Sequence, residues 1–515
     1  MVLLLVYSLT DIKGRDMSVY QMLMEDTLRL AHVLGAEYAE MRLEPESVSE
    51  SVAVEDERPV QVTSASESSM GILVYKNGGV GFWGTSRLDK KNAEVMVRRA
   101  VESAEANSRF GSVCPVLPDT RLMGNFVYVT PMAKNPFTVP VEEKIQLLVR
   151  AEAAMKEEAG SKAFYRSGAM TCEKTQKLFL NSFGLFTDQT FVMSGAQIGV
   201  NVRKSEGDDI QGRTFPDGHG YMAQAGYEFI EERDFIAGAR QITNEALELC
   251  FAPVVSAGTR HAIIMPGEFN LHGGHETIHG FEGDRCCGTE WTLAGGSFFM
   301  RILPQIGSFR FGSEHVNIVA DSSIARGVGT YLFDDEGSPS KHYHLVKDGI
   351  WVGLLTSRES VSMLNQHIGR EYFKQSGASM RAERASSIPL SRMTNILIEP
   401  GHLGFEEMKD MAPEGTIMFG SNKSWTIDDY RRHFQFGVEI AWEKVHGSWE
   451  LRKNALYYGD NLKFWRNCLG FADEKSWVLY GLPNCGKGDP IQSMKTGHGT
   501  SPAYFKDVSI GIAGA

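Results

Sequence analysis

The sequence predicts a mixed α+β fold, in which two helix–strand–helix α/β subdomains precede a β-rich, barrel-like antiparallel domain. Before residue 253, segments with helical periodicity alternate twice with strand-like segments. Apolar residues that recur every three to four positions indicate amphipathic helices, and strict alternation indicates half-buried strands. After residue 253, many short strand-like segments are separated by turn residues, a pattern typical of antiparallel sheets. The 515-residue chain is long enough to bury several cores.

The first subdomain is predicted at 17–110, after an extension at 1–16 with no periodic pattern. Met17 is an alternative to Met1 as the first residue. Ser18 is the predicted N-cap of the first helix, and Asn77-Gly78 is a strong hairpin signal. The predicted elements are a helix at 18–35, strands at 38–43, 52–62 and 71–83, and a helix at 89–107.

Prolines predict a linker at 111–140, and a second subdomain follows at 141–252. Its predicted elements are a helix at 141–158, strands within 164–203 and a helix at 231–250. The order repeats that of the first subdomain, which suggests an internal duplication.

The third domain is predicted at 253–515, with the histidine-rich segment on a helix near its beginning. Its predicted strands are at 261–265, 316–320, 342–346, 351–356, 394–399, 434–442 and 477–480.

Composition excludes several classes of function. The net charge of −12 and the lack of a basic run argue against a nucleic-acid partner. No apolar stretch reaches the ~20 residues that a spanning helix needs, and the first residues lack the basic flank of a signal peptide. Seven irregularly spaced cysteines favour a reducing compartment, so a cytoplasmic location is predicted.

The segment from His275 to His279 reads H-E-x-x-H. On an α-helix, residues four apart share one face, so the two imidazoles can bind one zinc ion. Glu276 lies beside the first histidine and is predicted to act as general base on a zinc-activated water. Glu282 and Asp284 follow closely and are either further ligands or residues that orient an imidazole.

These residues resemble the TldD/PmbA family, and its TldD-like members in particular. The resemblance covers nearly the whole chain from Met17 and includes blocks that occur in the same order. They are His279-Gly280-Phe281-Glu282-Gly283-Asp284-Arg285, Asp334-Asp335-Glu336-Gly337, Leu345-Val346-Lys347-Asp348-Gly349, Leu355-Thr356-Ser357-Arg358-Glu359, Arg392-Met393-Thr394-Asn395 and Pro483-Asn484-Cys485-Gly486-Lys487-Gly488.

The resemblance implies a zinc-dependent peptidase that acts on short or unfolded peptides. It implies that Cys485, in the last block, is the third zinc ligand beside His275 and His279. It also implies a dimer, either a homodimer or a heterodimer with a TldE/PmbA-like subunit. Because this chain carries the histidine motif, it resembles the catalytic subunit.

The chain departs from the family in one respect. The family pattern is H-E-x-x-x-H, one residue longer, and its spacing predicts a local bulge, whereas the spacing here suits a plain helix. His272, three residues before His275, is a candidate substitute ligand. The alternative function is a non-catalytic, peptide-binding or regulatory subunit with an impaired metal site.

Two further residues are candidates for contact with the substrate. His498 either stabilises an oxyanion or is a hydrogen-bonded loop histidine. Arg392 either holds a peptide carboxylate or forms a structural ion pair. The G-x-x-x-x-G-K run ending at Lys487 lacks the following Ser or Thr, so a phosphate loop is not predicted.

Overall fold

The structure, a computed structural model, describes residues 17–111, 122–289 and 295–513. The extension at 1–16, part of the proline-rich linker and the side chain of Ser18 lie outside the described residues. Among the helices that are described, none is both long and apolar enough to span a bilayer.

The first half of the chain contains long strands and the helices that cover them. Its elements are α1 (Met17–Val33), β1 (Tyr38–Glu55), β2 (Arg58–Lys76), β3 (Gly79–Thr85), α2 (Lys90–Asn107), β4 (Gly124–Val129), α3 (Val141–Ala159), β5 (Ala163–Asn181), β6 (Leu185–Val202), β7 (Gln211–Phe215), β8 (Met222–Ala223), α4 (Glu228–Glu231) and α5 (Phe235–Leu249).

Local signals account for most of these elements. The Asp89 carboxylate caps α2 by accepting the Asn92 N–H at 2.9 Å, and Asn77-Gly78 forms the β2–β3 turn with left-handed φ angles of 52° and 77°. The single strand predicted at 52–62 is wrong. Asp56 and Glu57 both have positive φ, so the chain turns there and β1 and β2 pair as a hairpin.

The second half consists of shorter elements. They are β9 (Gly258–Ile264), α6 (Pro266–Phe269), α7 (Gly283–Cys287), β10 (Ile318–Asp321), β11 (His342–Lys347), β12 (Ile350–Trp351), α8 (Arg358–Ile368), β13 (Met380–Arg381), β14 (Leu390–Ser391), β15 (Asn395–Ile398), α9 (Phe405–Met411), β16 (Ile417–Phe419), β17 (Asn422–Ile427), β18 (His433–Val438), β19 (Ala441–Val445), β20 (Ser448–Arg452), β21 (Ala455–Asp460), α10 (Asn461–Arg466), β22 (Cys468–Phe471), β23 (Val478–Lys487), β24 (Gln492–Thr500) and β25 (Ala503–Ile512).

Two predicted strands of this half differ from the structure. Of the strand expected at 351–356, only Trp351 lies in a strand, as the last residue of β12, because residues 352–354 do not pair with a neighbouring strand. The strand expected at 434–442 is two strands, β18 and β19. These pair with different neighbours, β18 with β17 and β21, and β19 with β16 and β20.

The mixed α+β class is confirmed, and its strands form two large sheets. The 14-stranded sheet has the order β12-β11-β10-β15-β24-β23-β8-β6-β5-β1-β2-β3, with β4 and β7 attached to β6. The nine-stranded sheet has the order β17-β18-β21-β25-β9-β16-β19-β20, with β22 attached to β25. Strands from both sides of residue 253 therefore share one sheet. The domain boundaries predicted at residues 110, 140 and 252 stay predictions.

The largest core joins these sheets around the histidine segment. It includes Ile318 and Ile396 of the larger sheet, Phe419 of the smaller sheet, and Leu271 and Ile278 beside the histidines. The histidine segment is therefore held between two sheets by burial of apolar side chains, which is the dominant stabilising term in folding.

An ion cluster around the buried guanidinium of Arg213, on β7, joins the two halves of the chain. The guanidinium contacts Glu245 at 2.8 Å, Asp217 at 3.1 Å and, across the halves, Glu439 at 2.7 Å. Arg213→Met would leave the buried Glu439 carboxylate without its charged partner, so we expect the free energy of unfolding to fall by about 3–5 kcal/mol. Denaturant titration measures the change.

The matched control is Arg240→Met, because Arg240 pairs with Glu157 on the surface. Exposed pairs contribute little, so the control is expected to unfold at the wild-type midpoint. Equal midpoints for both variants would contradict the proposed anchoring role of Arg213.

Candidate metal centre

The histidine segment is not the plain helix that its spacing predicts. Helix α6 runs into a π-helical segment, Asn270–Glu276, which is followed by a 3₁₀ turn, Ile278–Phe281. The Thr277 N–H donates to the His272 carbonyl at 3.0 Å, an i to i+5 bond. The wide π-helical turn is thus followed by a tight 3₁₀ turn. Turns of the π-helical type occur frequently at functional sites.

Two glycines make this backbone possible. A Cβ atom on Gly273 would lie 2.7 Å from the Phe269 ring, and one on Gly274 would lie 3.1 Å from Cβ of His498. The segment therefore packs against its neighbours more closely than residues with side chains would allow.

His275, His279 and Cys485 converge, with their ligand atoms within 4.8 Å of one another. The Cys485 sulfur lies 3.4 Å from Nε2 of His279, and the two imidazole centroids are 4.8 Å apart. All three residues are buried, each about 4% exposed. Two imidazoles and one thiolate in this arrangement fit a tetrahedral ion such as zinc, with one position left for a further ligand.

Hydrogen bonds orient both imidazoles so that Nε2 is available as the ligand atom. His279 Nδ1 lies 3.2 Å from the Glu282 carboxylate, and His275 Nδ1 lies 2.9 Å from Nε2 of His498. Partners of this kind fix the ring and its tautomer in metal sites. His498 lies on strand β24 rather than in a loop, and it contacts a ligand residue rather than an open cavity.

Glu282 and Asp284 belong to a ring of charges around the centre. The Glu282 carboxylate pairs with Arg285 and with Lys487 Nζ at 3.3 Å, and Lys487 also pairs with Asp284 at 2.7 Å. Neither carboxylate joins the three convergent ligands. Of the two predicted roles, the geometry therefore favours orientation of His279 and its surroundings.

Burial and neighbouring charges shift the pKa values of the residues at the centre. Burial lowers the pKa of His275 to about 4, which keeps the imidazole neutral. Burial by itself raises the pKa of the Cys485 thiol. The interactions with His279 and Arg392 lower this pKa by more, so that it lies below its usual value. Burial likewise raises the pKa of Glu282, and Lys487 and Arg285 bring it well below its usual value.

Strand β23 carries Cys485, and Arg392 holds that strand in place. The fully buried Arg392 guanidinium donates to the carbonyls of Cys485 and, at 3.0 Å, Gln492. Neither predicted role of Arg392 is therefore observed, because both of its acceptors are backbone oxygens and its burial keeps it from a substrate carboxylate.

His272 is not a substitute ligand, and that prediction is wrong. Its ring packs against Phe434, Phe436 and Phe464. Its nitrogens lie 3.0 Å from the Tyr457 hydroxyl and 3.2 Å from the Asn461 amide oxygen. The π-helical turn directs this side chain into the aromatic core, where burial lowers its pKa to about 3.

Glu276 follows His275 directly in the chain and is 7% exposed. Its carboxylate accepts from Nη1 of Arg431 at 3.2 Å. Arg431 follows strand β17 and has a left-handed φ of 61°. No sequence signal indicates Arg431, because it belongs to none of the motif blocks and no local pattern links it to Glu276, 155 residues earlier in the chain.

Comparison with known proteins shows which family the chain resembles over most of its length. Models of the PmbA/TldA metallopeptidase family match domain 1 at residues 45–104, the central domain at 134–249 and the C-terminal domain at 279–511. A metalloprotease of Methanothermobacter thermautotrophicus is 26% identical over 92% of this chain and 95% of its own. One from Methanocaldococcus jannaschii is 24% identical over 79% of this chain and 83% of its own.

A solved structure, TldE from Thermococcus kodakarensis, shares the fold. Its TM-score is 0.65 at 16% identity, with 96% of this chain and 100% of that chain covered. The resemblance inferred from the sequence motifs is confirmed: the chain belongs to the PmbA/TldD family of metallopeptidases.

Proposed function

We propose that this metallopeptidase uses zinc, held by His275, His279 and Cys485, to hydrolyse short or unfolded peptides. The observation that carries the proposal is the convergence of three buried donors from segments 206 residues apart. A thiolate with two imidazoles is a donor set that suits zinc, whereas magnesium and calcium prefer oxygen ligands.

The side chains around the ligands have distinct roles in hydrolysis. Zinc, when bound, supplies Lewis-acid chemistry that polarises the scissile carbonyl and makes water more acidic. Glu276 accepts the proton of the attacking water and returns it to the leaving amine. Glu282 and His498 keep the two imidazoles oriented, and the buried position of the centre keeps bulk water away.

The peptide is proposed to bind as an extended strand. Strand β23 pairs with β24 along its length, but on its other edge it pairs with β8 only at Gly481. A cavity of about 450 Å³ reaches β23 at Pro483, two residues before Cys485, and is also lined by Lys495 and by alternate residues of β1, β5 and β6. Main-chain hydrogen bonds along a strand edge give affinity with little sequence preference.

The partner is proposed to be a second copy of this chain or a TldE-like subunit. The structural similarity to a TldE supports the second possibility. The rival function, a non-catalytic subunit, rests on the shortened histidine motif.

Metal analysis of the purified chain combined with a peptide-cleavage assay tests the proposal. We expect one zinc per chain, cleavage of unfolded peptides, loss of cleavage with a chelator and recovery when zinc is restored. A chain that dimerises without binding zinc would support the non-catalytic subunit. Cleavage by metal-free protein would refute a metal-dependent mechanism.

A further inference from the structure

We propose that Arg431 binds an anionic oxygen of the peptide at the metal centre while it holds Glu276 in place. The inference rests on the proposed peptidase function. It assigns a substrate-contacting residue that lies outside the histidine and cysteine motifs.

The backbone of Arg431 is fixed relative to the histidine segment. Its N–H donates to the Asp428 carbonyl at 2.9 Å, and its carbonyl accepts from the Asn461 side-chain amide at 2.8 Å. The oxygen of the same Asn461 amide accepts from the Thr277 hydroxyl at 3.3 Å. Because Thr277 lies between the two histidine ligands, Asn461 ties the Arg431 loop to the metal-binding turn.

The Arg431 guanidinium has N–H groups that the contact with Glu276 does not use. Nη1 contacts Glu276, whereas Nε is buried and has no hydrogen-bond partner among the described residues. An unsatisfied buried donor costs free energy, and a functional role is one of the reasons for which native structures keep such groups. The Arg431 side chain is 17% exposed, so a substrate can reach part of it.

Charge balance indicates the sign of the expected ligand. Glu282 and Asp284 are balanced by Arg285 and Lys487. A divalent ion would be balanced by the Cys485 thiolate and the Glu276 carboxylate. Because Glu276 also pairs with Arg431, the positive charges of a divalent ion and Arg431 together exceed the two negative charges of Cys485 and Glu276. Charge-assisted hydrogen bonds to an anionic oxygen are among the strongest available to Arg431.

Two oxygens of a peptide have this chemistry. One is the oxyanion that develops on the scissile carbonyl during attack, and the other is a free C-terminal carboxylate. A matched pair of peptides, identical except for a C-terminal carboxylate or amide, distinguishes the two sources.

The test compares Arg431→Met and Arg431→Lys with wild type, measuring zinc content, kcat and KM on both peptides. We expect Arg431→Met to retain one zinc per chain and to lose about 10²–10³-fold in activity, as removal of an oxyanion donor does. A loss in kcat on both peptides identifies the oxyanion if Arg431→Met also lowers the residual kcat of Glu276→Gln, where positioning of the base no longer contributes. A loss through KM on the free acid alone identifies the carboxylate. Arg431→Lys, which keeps the charge, is expected to recover part of the loss.

Peptide affinity gives a readout that does not depend on turnover. Calorimetry measures binding of the free-acid peptide to two zinc-loaded proteins, Glu276→Gln and the double variant that also carries Arg431→Met. If Arg431 binds the peptide carboxylate, the double variant is expected to bind the peptide more weakly. If Arg431 binds the oxyanion, the two proteins are expected to bind it equally. Arg432→Met is the matched control, because Arg432 pairs with Asp460 nearer the surface. It is expected to behave as wild type.

Two results would overturn the inference. Unchanged kcat and KM in Arg431→Met would show that its guanidinium touches no reacting or charged group of the peptide. Loss of zinc in both Arg431 variants would show a structural role. Failure of the proposed function is a separate result, since zinc-loaded wild type would then cleave neither peptide.

Discussion

Glu276→Gln is expected to lower kcat for peptide hydrolysis by about 10²–10⁴-fold, the range typical of a lost general base. The amide has nearly the shape of the carboxylate and its oxygen can still accept from Arg431, but it cannot take up the proton of the attacking water. Because Glu276 is not among the three convergent donors, the variant is expected to retain one zinc per chain. Cleavage kinetics and metal analysis on the same preparation measure both effects.

A matched substitution separates this loss from a general effect of removing a negative charge. Glu406 is an exposed glutamate of α9 that pairs only with Lys409 among its described partners. Glu406→Gln is expected to cleave as wild type does. If Glu276→Gln cleaved at the wild-type rate, Glu276 would not be the base.

Cys485→Ala is expected to abolish tight zinc binding, and cleavage with it. Even partners that only orient a ligand contribute about 10–100-fold in metal affinity, and the loss of a ligand should exceed that range. The thiolate is also the one ligand contributed by strand β23, so its removal leaves both remaining donors on the histidine segment. Competition with a chelator of known affinity measures the dissociation constant.

Cys468→Ala is the matched control. Cys468 is buried like Cys485, but burial raises its pKa to about 12, so it remains a neutral thiol. We expect this variant to bind zinc with wild-type affinity. Circular dichroism of both variants without metal shows whether the fold is retained, and unchanged zinc affinity in Cys485→Ala would exclude the thiolate from the centre.

Much of the local structure followed from short-range patterns. The amphipathic period predicted α2 and α3 almost to their observed ends, and Asn77-Gly78 predicted its hairpin because those residues tolerate left-handed backbone. The turn at Asp56-Glu57 was missed, since neither residue is a glycine and strand-like residues continue on both sides of it.

The histidine segment shows why spacing alone was insufficient. H-E-x-x-H predicted both imidazoles on one face of a plain helix, and the side chains do meet, but on a π-helical turn that tightens into a 3₁₀ turn. The same backbone directs His272 into the aromatic core. Residue spacing describes an ideal α-helix. Gly273 and Gly274 instead allow close contacts with Phe269 and His498, and these contacts favour the π-helical backbone.

The sequence by itself determined the helix and strand tendencies, the pair of histidines with Glu276 between them, and, through its ordered motif blocks, the family. The motif blocks also implied Cys485 as a ligand and left Glu282 as either a ligand or an orienting residue. Tertiary structure alone decided that Glu282 and His498 contact the imidazoles at Nδ1 and that Arg431 meets Glu276. Local periodicity reflects dihedral and burial preferences over a few residues. Contacts between distant segments depend instead on how two sheets pair and close over a shared core.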